Sequence, residues 1–178
     1  LPAELWKWDA VDLARAIRGR QLSSREAVQA SLHRMAQVNP VLNAVVDDLG
    51  AQALADADAA DAAVARGDTL GPLHGVPVSV KSNVDQRGRA TSNGVVAFAG
   101  HIAQDDSPVV ANLRAGGAVI VGRTNVPAFS MRWDTDNALH GRTLNPWSRG
   151  HTPGGSSGGA SSSVAAGITP IAHGNDLA

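Results

Sequence analysis

These 178 residues contain no cysteine. That removes thiol catalysis, disulfides and cysteine-bound zinc, and it leaves the redox compartment open. Aromatic residues are scarce, with two Phe, four Trp and no Tyr. Much of the 43% hydrophobic fraction is alanine and valine, which is ordinary for a soluble globular chain. There is no excess of positive charge. A formal net charge of -1 argues against a nucleic-acid partner, which calls for a basic stripe. No apolar run approaches membrane-spanning length, so no membrane partner is expected. The opening "LPAELWKWDA" has neither a basic n-region nor an apolar h-region, and no initiator Met. It predicts no signal peptide, and a cytoplasmic location is the default expectation. The closing "ITPIAHGNDLA" runs from an apolar strand into a turn, which predicts a fragment of a longer domain.

Metal chemistry finds no support either. The six histidines are scattered without ligand spacing. "ADADAAD" (Ala55 to Asp61) alternates like a calcium loop but lacks its glycine and final glutamate, so it reads as a solvated helix face. Asp134 and Asp136 in "WDTDN" read as a turn. Arg15, Arg18, Arg20 and Arg25 read as solvated surface.

Helix signals dominate the front of the chain. Asp9 caps "AVDLARAIRGR", which Gly19 ends. Ser23 and Glu26 form a capping box for "SSREAVQASLHRMAQV", with a stop expected at Asn39-Pro40. "NAVV" is a short strand candidate, and "AQALADADAADAAVARG" is an alanine-rich helix closed by Gly67. The character then changes. "GVPVSV" (Gly75 to Val80) and "AVIVGRTN" read as buried strands, with the helix "SPVVANLRAGG" between them. "VPAFSM" is expected to open another helix, "SVAAG" to form a short one, and "ITPIA" to be a third strand. Buried strands alternating with helices imply an α/β fold with a largely parallel sheet. Residues 1–70 read as a helical segment packing on the core, and 71–178 as the first part of that core.

One stretch stands apart. "TPGGSSGGASSS" (Thr152 to Ser163) holds five serines, four glycines and no charge. As a linker it would separate two domains, yet only about fifteen mostly apolar residues follow it. As a phosphate cradle it lacks the lysine of a P-loop and the Gly-x-Gly-x-x-Gly spacing. A nonstandard anion loop stays open. The third reading is a serine held by glycines for acyl transfer, which needs His or Lys as a base. The only lysines are Lys7 and Lys81. Lys7 stands between two tryptophans at the front. Lys81 ends the buried strand "GVPVSVK". Burying an ammonium costs on the order of several kcal/mol unless it is paired or deprotonated. The carboxyl edge of a sheet is also where α/β proteins place their sites. A lysine that snorkels to solvent is the alternative.

The succession "GVPVSVKSNVD", "AVIVGRTNVPAFSM" and "LNPWSRGHTPGGSSGGASSSVAAGITPIAHGND" resembles the amidase signature family in order, spacing and wording, from about residue 10 onward. The resemblance implies a mixed, largely parallel sheet sandwiched by helices, incomplete in this chain. It implies amide hydrolysis by a Ser–cis-Ser–Lys triad through an acyl-enzyme, with no metal and no organic cofactor. Lys81 would be the general base, and Ser156 the bridging serine on a cis peptide after Gly155. Ser157 and Asp176 would support the site, with the backbone of Leu177 and Ala178 in the oxyanion hole. Ser130, Met131, Arg132 and Trp133 would line the acyl pocket. The nucleophilic serine would fall just past Ala178, supplied by the remainder of the polypeptide or by a second chain. The implied partner is a small-molecule amide, and a homodimer is compatible with it. On this reading residues 1–178 alone are neither a stable domain nor an enzyme, because their apolar strands would lie bare.

There are departures. Ser82 stands where an acidic residue commonly follows the lysine, Ala128 where glutamate is frequent, and Ala178 where many members have glycine. Two alternatives stay open: a component of a tRNA-dependent amidotransferase, and a noncatalytic anion-binding module using the Gly/Ser loop.

Overall fold

The computed structural model describes residues 4–176. Helix α1 (Ala10–Arg18) starts at Asp9, whose carboxylate accepts from the Asp12 amide, and ends at Gly19. Helix α2 (Ser24–Leu42) opens with the expected capping box. The Glu26 amide donates to Ser23 Oγ and the Ser23 amide donates to the Glu26 carboxylate. Asp61 of α3 (Gly50–Arg66) accepts from the Ser24 and Arg25 amides at 2.6 and 3.1 Å. The first-turn donors of α2 are thereby satisfied by a neighbouring helix.

The stop expected at Asn39-Pro40 does not occur. Pro40 lies inside α2, which continues to Leu42 and ends with Asn43 left-handed at φ 51°. Proline removes one amide donor, and so close to the helix end the loss touches only the last turn. The Asn39 side chain accepts from the Ala44 and Val45 amides and donates to the Val45 carbonyl. This turns the chain directly into β1 (Val45–Asp48).

Four strands form one sheet in the order β1-β3-β2-β4. Strand β2 (Pro77–Lys81) runs parallel to both β3 (Val119–Thr124) and β4 (Ile171–Ala172), and β1 is antiparallel to β3. The sheet is therefore mixed and mostly parallel, with α3 crossing between β1 and β2 and α4 (Pro108–Ala115) between β2 and β3. Along β3, Val119 and Val121 pack with Val28 of α2 and with Ala53 and Ala57 of α3. Ile120 joins Val76, Val78 and Val80 in a cluster with Leu13, Ile17 and Val110. Successive strand residues face opposite sides, so helices cover both faces.

Every residue of β2 and β3 is buried. This corrects the expectation that these strands would lie bare. The early helices, α4, and α5 with the segment around it supply the cover, and alanines at 53 and 57 let α3 settle close to the sheet. The two edge strands are less covered: β1 runs from buried Val45 to exposed Asp48, and β4 is half-buried and among the described residues pairs with β2 alone.

Two further elements differ from expectation. "VPAFSM" opens no helix beyond a single 3-10 turn, Ala128–Ser130, because Phe129 and Ser130 are both left-handed at φ 57°. Helix α5 (Gly158–Ala165) starts earlier than expected, so half of the Gly/Ser stretch is helical. Among the described residues no helix is long and apolar enough to cross a membrane.

Helix α5 touches the ends of β1 and β3 through Gly159. A Cβ there would overlap the Asn125 backbone and lie 2.8 Å from the Ala44 carbonyl oxygen. Gly159→Ala in the intact protein should therefore cost about 1–3 kcal/mol by overpacking. Urea denaturation would measure it, and an unchanged midpoint would contradict this packing.

Candidate active site

Lys81 is the last residue of β2, at the carboxyl end of the strand. Its side chain is 0% exposed. The strand's alternation explains why. Val78 and Val80 fill the apolar cluster on one face, so Ser79 and Lys81 point to the other. There Ser79 meets Thr169, and the Lys81 amine lies 2.7 Å from Ser156 Oγ. The same amine lies 3.0 Å from the Asn175 carbonyl oxygen and 2.9 Å from Asn175 Oδ1. The snorkelling alternative does not hold.

Burial pushes the Lys81 pKa down to about 8, against an opposing pull from the Asp176 carboxylate. Desolvation penalises the ammonium, and a nearby negative charge favours it. A sizeable neutral fraction at neutral to mildly alkaline pH is what a general base needs.

Ser156 arrives from the other side. The Gly155–Ser156 peptide bond is cis. The turn holding it is braced from outside. Thr135 Oγ1 donates to the Gly154 carbonyl at 2.9 Å and accepts from the Gly158 amide at 3.1 Å. Asp134 accepts from Thr152 Oγ1 and from Arg142, which holds its carboxyl below the usual carboxylate range, the threonine bond being the larger cause. The pair Asp134 and Asp136 thus belongs to a turn, and Asp134 anchors the Gly/Ser loop. Gly155 is a contact requirement, because a side chain there would enter the backbone of Arg132 and Trp133.

The remaining candidates fall as follows. Ser157 Oγ donates to the Asn175 carbonyl at 3.2 Å, beside Lys81. Asp176 acts on Lys81 through its charge. Ser130 is buried and tied to Asn83 and Asn93. Arg132 meets Gly155 through its backbone, whereas the Met131 and Trp133 side chains are 74% and 89% exposed. Leu177 and Ala178 lie outside the described residues. An open cleft beside the cis turn is lined by Gly155, Ser157, Ala172 and Gly174. Among the described residues no group of three or more His, Asp or Glu side chains could hold a metal ion.

Comparison with known proteins decides the family. The amidase family model matches residues 26–178. The chain belongs to the amidase family. It is 57% identical to an indoleacetamide hydrolase of Bradyrhizobium diazoefficiens over 97% of its own length and 33% of that relative. It is 41% identical to a glutamyl-tRNA(Gln) amidotransferase subunit from Acidothermus cellulolyticus over 98% of this chain and 34% of that one. Its structure is similar to that of a bacterial aryl acylamidase of the amidase signature family, with TM-score 0.89 and 32% identity, covering 94% of this chain and 35% of that one. The chain spans about a third of the length of the relatives it matches.

Several site residues of this amidase chain escaped sequence reasoning. Asn175, Asn83 and Asn93 form an amide network around Lys81 and Ser130, and isolated asparagines carry no spacing signal. Arg123 had one, as a charge inside the buried strand "AVIVGRTN". It is 1% exposed and donates to the carbonyls of Ser82, Val84 and Ala90. Those bonds pin the loop that leaves Lys81.

Selective labelling of lysine amines and NMR titration of the intact protein should show Lys81 titrating near pH 8. Asp176→Asn should move that value lower, because the carboxylate favours the ammonium. Titration at the ordinary lysine value would contradict the burial described here.

Proposed function

We propose that the protein carrying this chain hydrolyses amides through a serine acyl-enzyme, with neutral Lys81 as general base and Ser156 as the bridge. The observation that supports it best is the 2.7 Å approach of the buried Lys81 amine to Ser156 Oγ on a cis peptide. The nucleophile is a third serine, contributed by sequence following Ala178. Its hydroxyl oxygen attacks the amide carbonyl carbon, its proton passes to Ser156, and the Ser156 proton passes to Lys81. Backbone amides around Leu177 and Ala178 hold the oxyanion. Collapse breaks the C–N bond, and the proton returns from Lys81 through Ser156 to the leaving nitrogen. Water then cleaves the acyl-enzyme by the same relay. No step calls for a metal or an organic cofactor.

On this reading residues 71–178 are the first part of the catalytic core, residues 1–70 pack helices on it and add the edge strand β1 to its sheet, and the rest of the same polypeptide completes sheet and site. The hydrolase reading is favoured over an amidotransferase component by the higher identity to the indoleacetamide hydrolase, 57% against 41%. Indoleacetamide is therefore the first substrate to try. The exposed side chains of Phe129, Met131 and Trp133, in the segment whose backbone meets the cis turn at Arg132 and Trp133, suit an apolar acyl group.

The experiment is fluorophosphonate labelling of the intact protein, followed by ammonia release from indoleacetamide. Lys81→Ala and Ser156→Ala should each slow labelling by about a hundred- to ten-thousandfold. Retention of most of the labelling rate by Lys81→Ala would sink the mechanism. Labelling without ammonia release would keep the mechanism and reject that substrate.

A further inference from the structure

The Lys81 amine has three polar neighbours, and their chemistry is unequal. Ser156 Oγ can donate or accept a hydrogen. The Asn175 main-chain oxygen and Asn175 Oδ1 can only accept. A neutral amine carries two N–H bonds and one lone pair. The two Asn175 oxygens, at 3.0 and 2.9 Å, must then take the two N–H bonds. Only Ser156 has a proton to give, so the lone pair faces its hydroxyl at 2.7 Å. From the three contacts we infer that Asn175 is a positioning residue, clamping neutral Lys81 by two N–H bonds so that its lone pair is held on Ser156. This rests on the proposed lysine–serine relay.

The same contacts serve the protonated state. When the Ser156 proton moves to Lys81 Nζ, the ammonium has three N–H bonds and three acceptors already in place. The Ser156 oxygen is simultaneously reprotonated by the nucleophile. No side chain has to turn, which is the economy expected of a preorganised site.

The amide of Asn175 needs its own orientation, since its nitrogen is a donor that would compete with Ser156 for the amine's lone pair and could not accept from the ammonium. Asn83 supplies that orientation. Its Nδ2 donates to Asn175 Oδ1 at 3.0 Å and to Ser130 Oγ at 3.1 Å, and its own oxygen accepts from Asn175 Nδ2 at 3.4 Å. Ser130 Oγ in turn donates to Asn93 Oδ1 at 2.9 Å. The clamp is thereby tied to the left-handed turn at Phe129 and Ser130. The other charged or titratable groups acting on Lys81 are Asp176, which favours the ammonium, and His173, half-buried beside it.

The test is the pH dependence of fluorophosphonate labelling of the intact protein, since the labelling rate rises as Lys81 loses its proton. Asn175→Asp keeps shape and both acceptors but adds a negative charge, so the profile should move to higher pH. Asn175→Ala removes one acceptor, which the ammonium needs more than the amine does. Its profile should move to lower pH, with the limiting rate reduced roughly ten- to hundredfold. Asn83→Ala should reduce the rate less, with a shift in the direction of Asn175→Ala. A purely structural role would slow both Asn175 variants without opposite shifts, and that outcome overturns the inference while leaving the relay intact. Lys81→Ala is the control. If it labels as fast as the parent, the relay itself fails and the clamp fails with it.

Discussion

Everything around the site depends on keeping one lysine nitrogen away from water. A lysine at the end of a strand would ordinarily reach solvent along its flexible stem. Here β2 is buried along its whole length, and the amine ends against Ser156 and Asn175. Desolvation of the charged form makes the neutral form accessible. The hydrogen-bonding oxygens and the Asp176 carboxylate keep that penalty from becoming prohibitive. The two effects oppose each other, and burial is the larger.

The Gly/Ser stretch is shaped to meet that nitrogen. Its first half is a turn whose backbone presses on Arg132 and Trp133, and its second half is α5, whose start presses on the end of β3. Both contacts are backbone to backbone, which only residues without a Cβ permit. The stretch is therefore closely packed and half helical, although its composition is that of a flexible linker. Thr135, Asp134 and Arg142 brace it from the preceding loop. Arg123 performs the equivalent task for the loop after Lys81, with three backbone carbonyls as its partners. A cation held by carbonyls inside a sheet is costly to desolvate, and it secures the geometry on the lysine side of the site.

The covering of the sheet is uneven. The two central strands are closed on both faces by helices of this chain, whereas β4 is two residues long and half-buried. The site lies toward this thinner side, where the chain leaving β4 brings His173, Asn175 and Asp176 past Lys81. A chain that spans a third of its relatives thus carries a well-packed centre, with the site at the end of buried β2 and beside the thinly covered β4.

Much of this was legible in the sequence, because the signals were local. The capping box at Ser23 and Glu26, the stop at Gly19, the apolar strands ending in Lys81 and Thr124, and the wording around Ser156 all depend on neighbours within a few residues. What sequence reading missed was settled by distant partners. Pro40 stays in its helix because the Asn39 side chain and β1 receive the turn that follows. "VPAFSM" fails to become a helix because Phe129 and Ser130 are left-handed, with the Phe129 amide held by the Asn93 carbonyl and Ser130 Oγ by the Asn93 side chain. Asn175 and Asn83 reach the site only through contacts more than ninety residues apart in the chain. By itself the sequence determined which residues could do chemistry, since the residue types and their spacing are written in it. Which amide faces the lysine, and which way its oxygen points, only the tertiary structure decided, because hydrogen-bond direction is set by partners that the fold brings together.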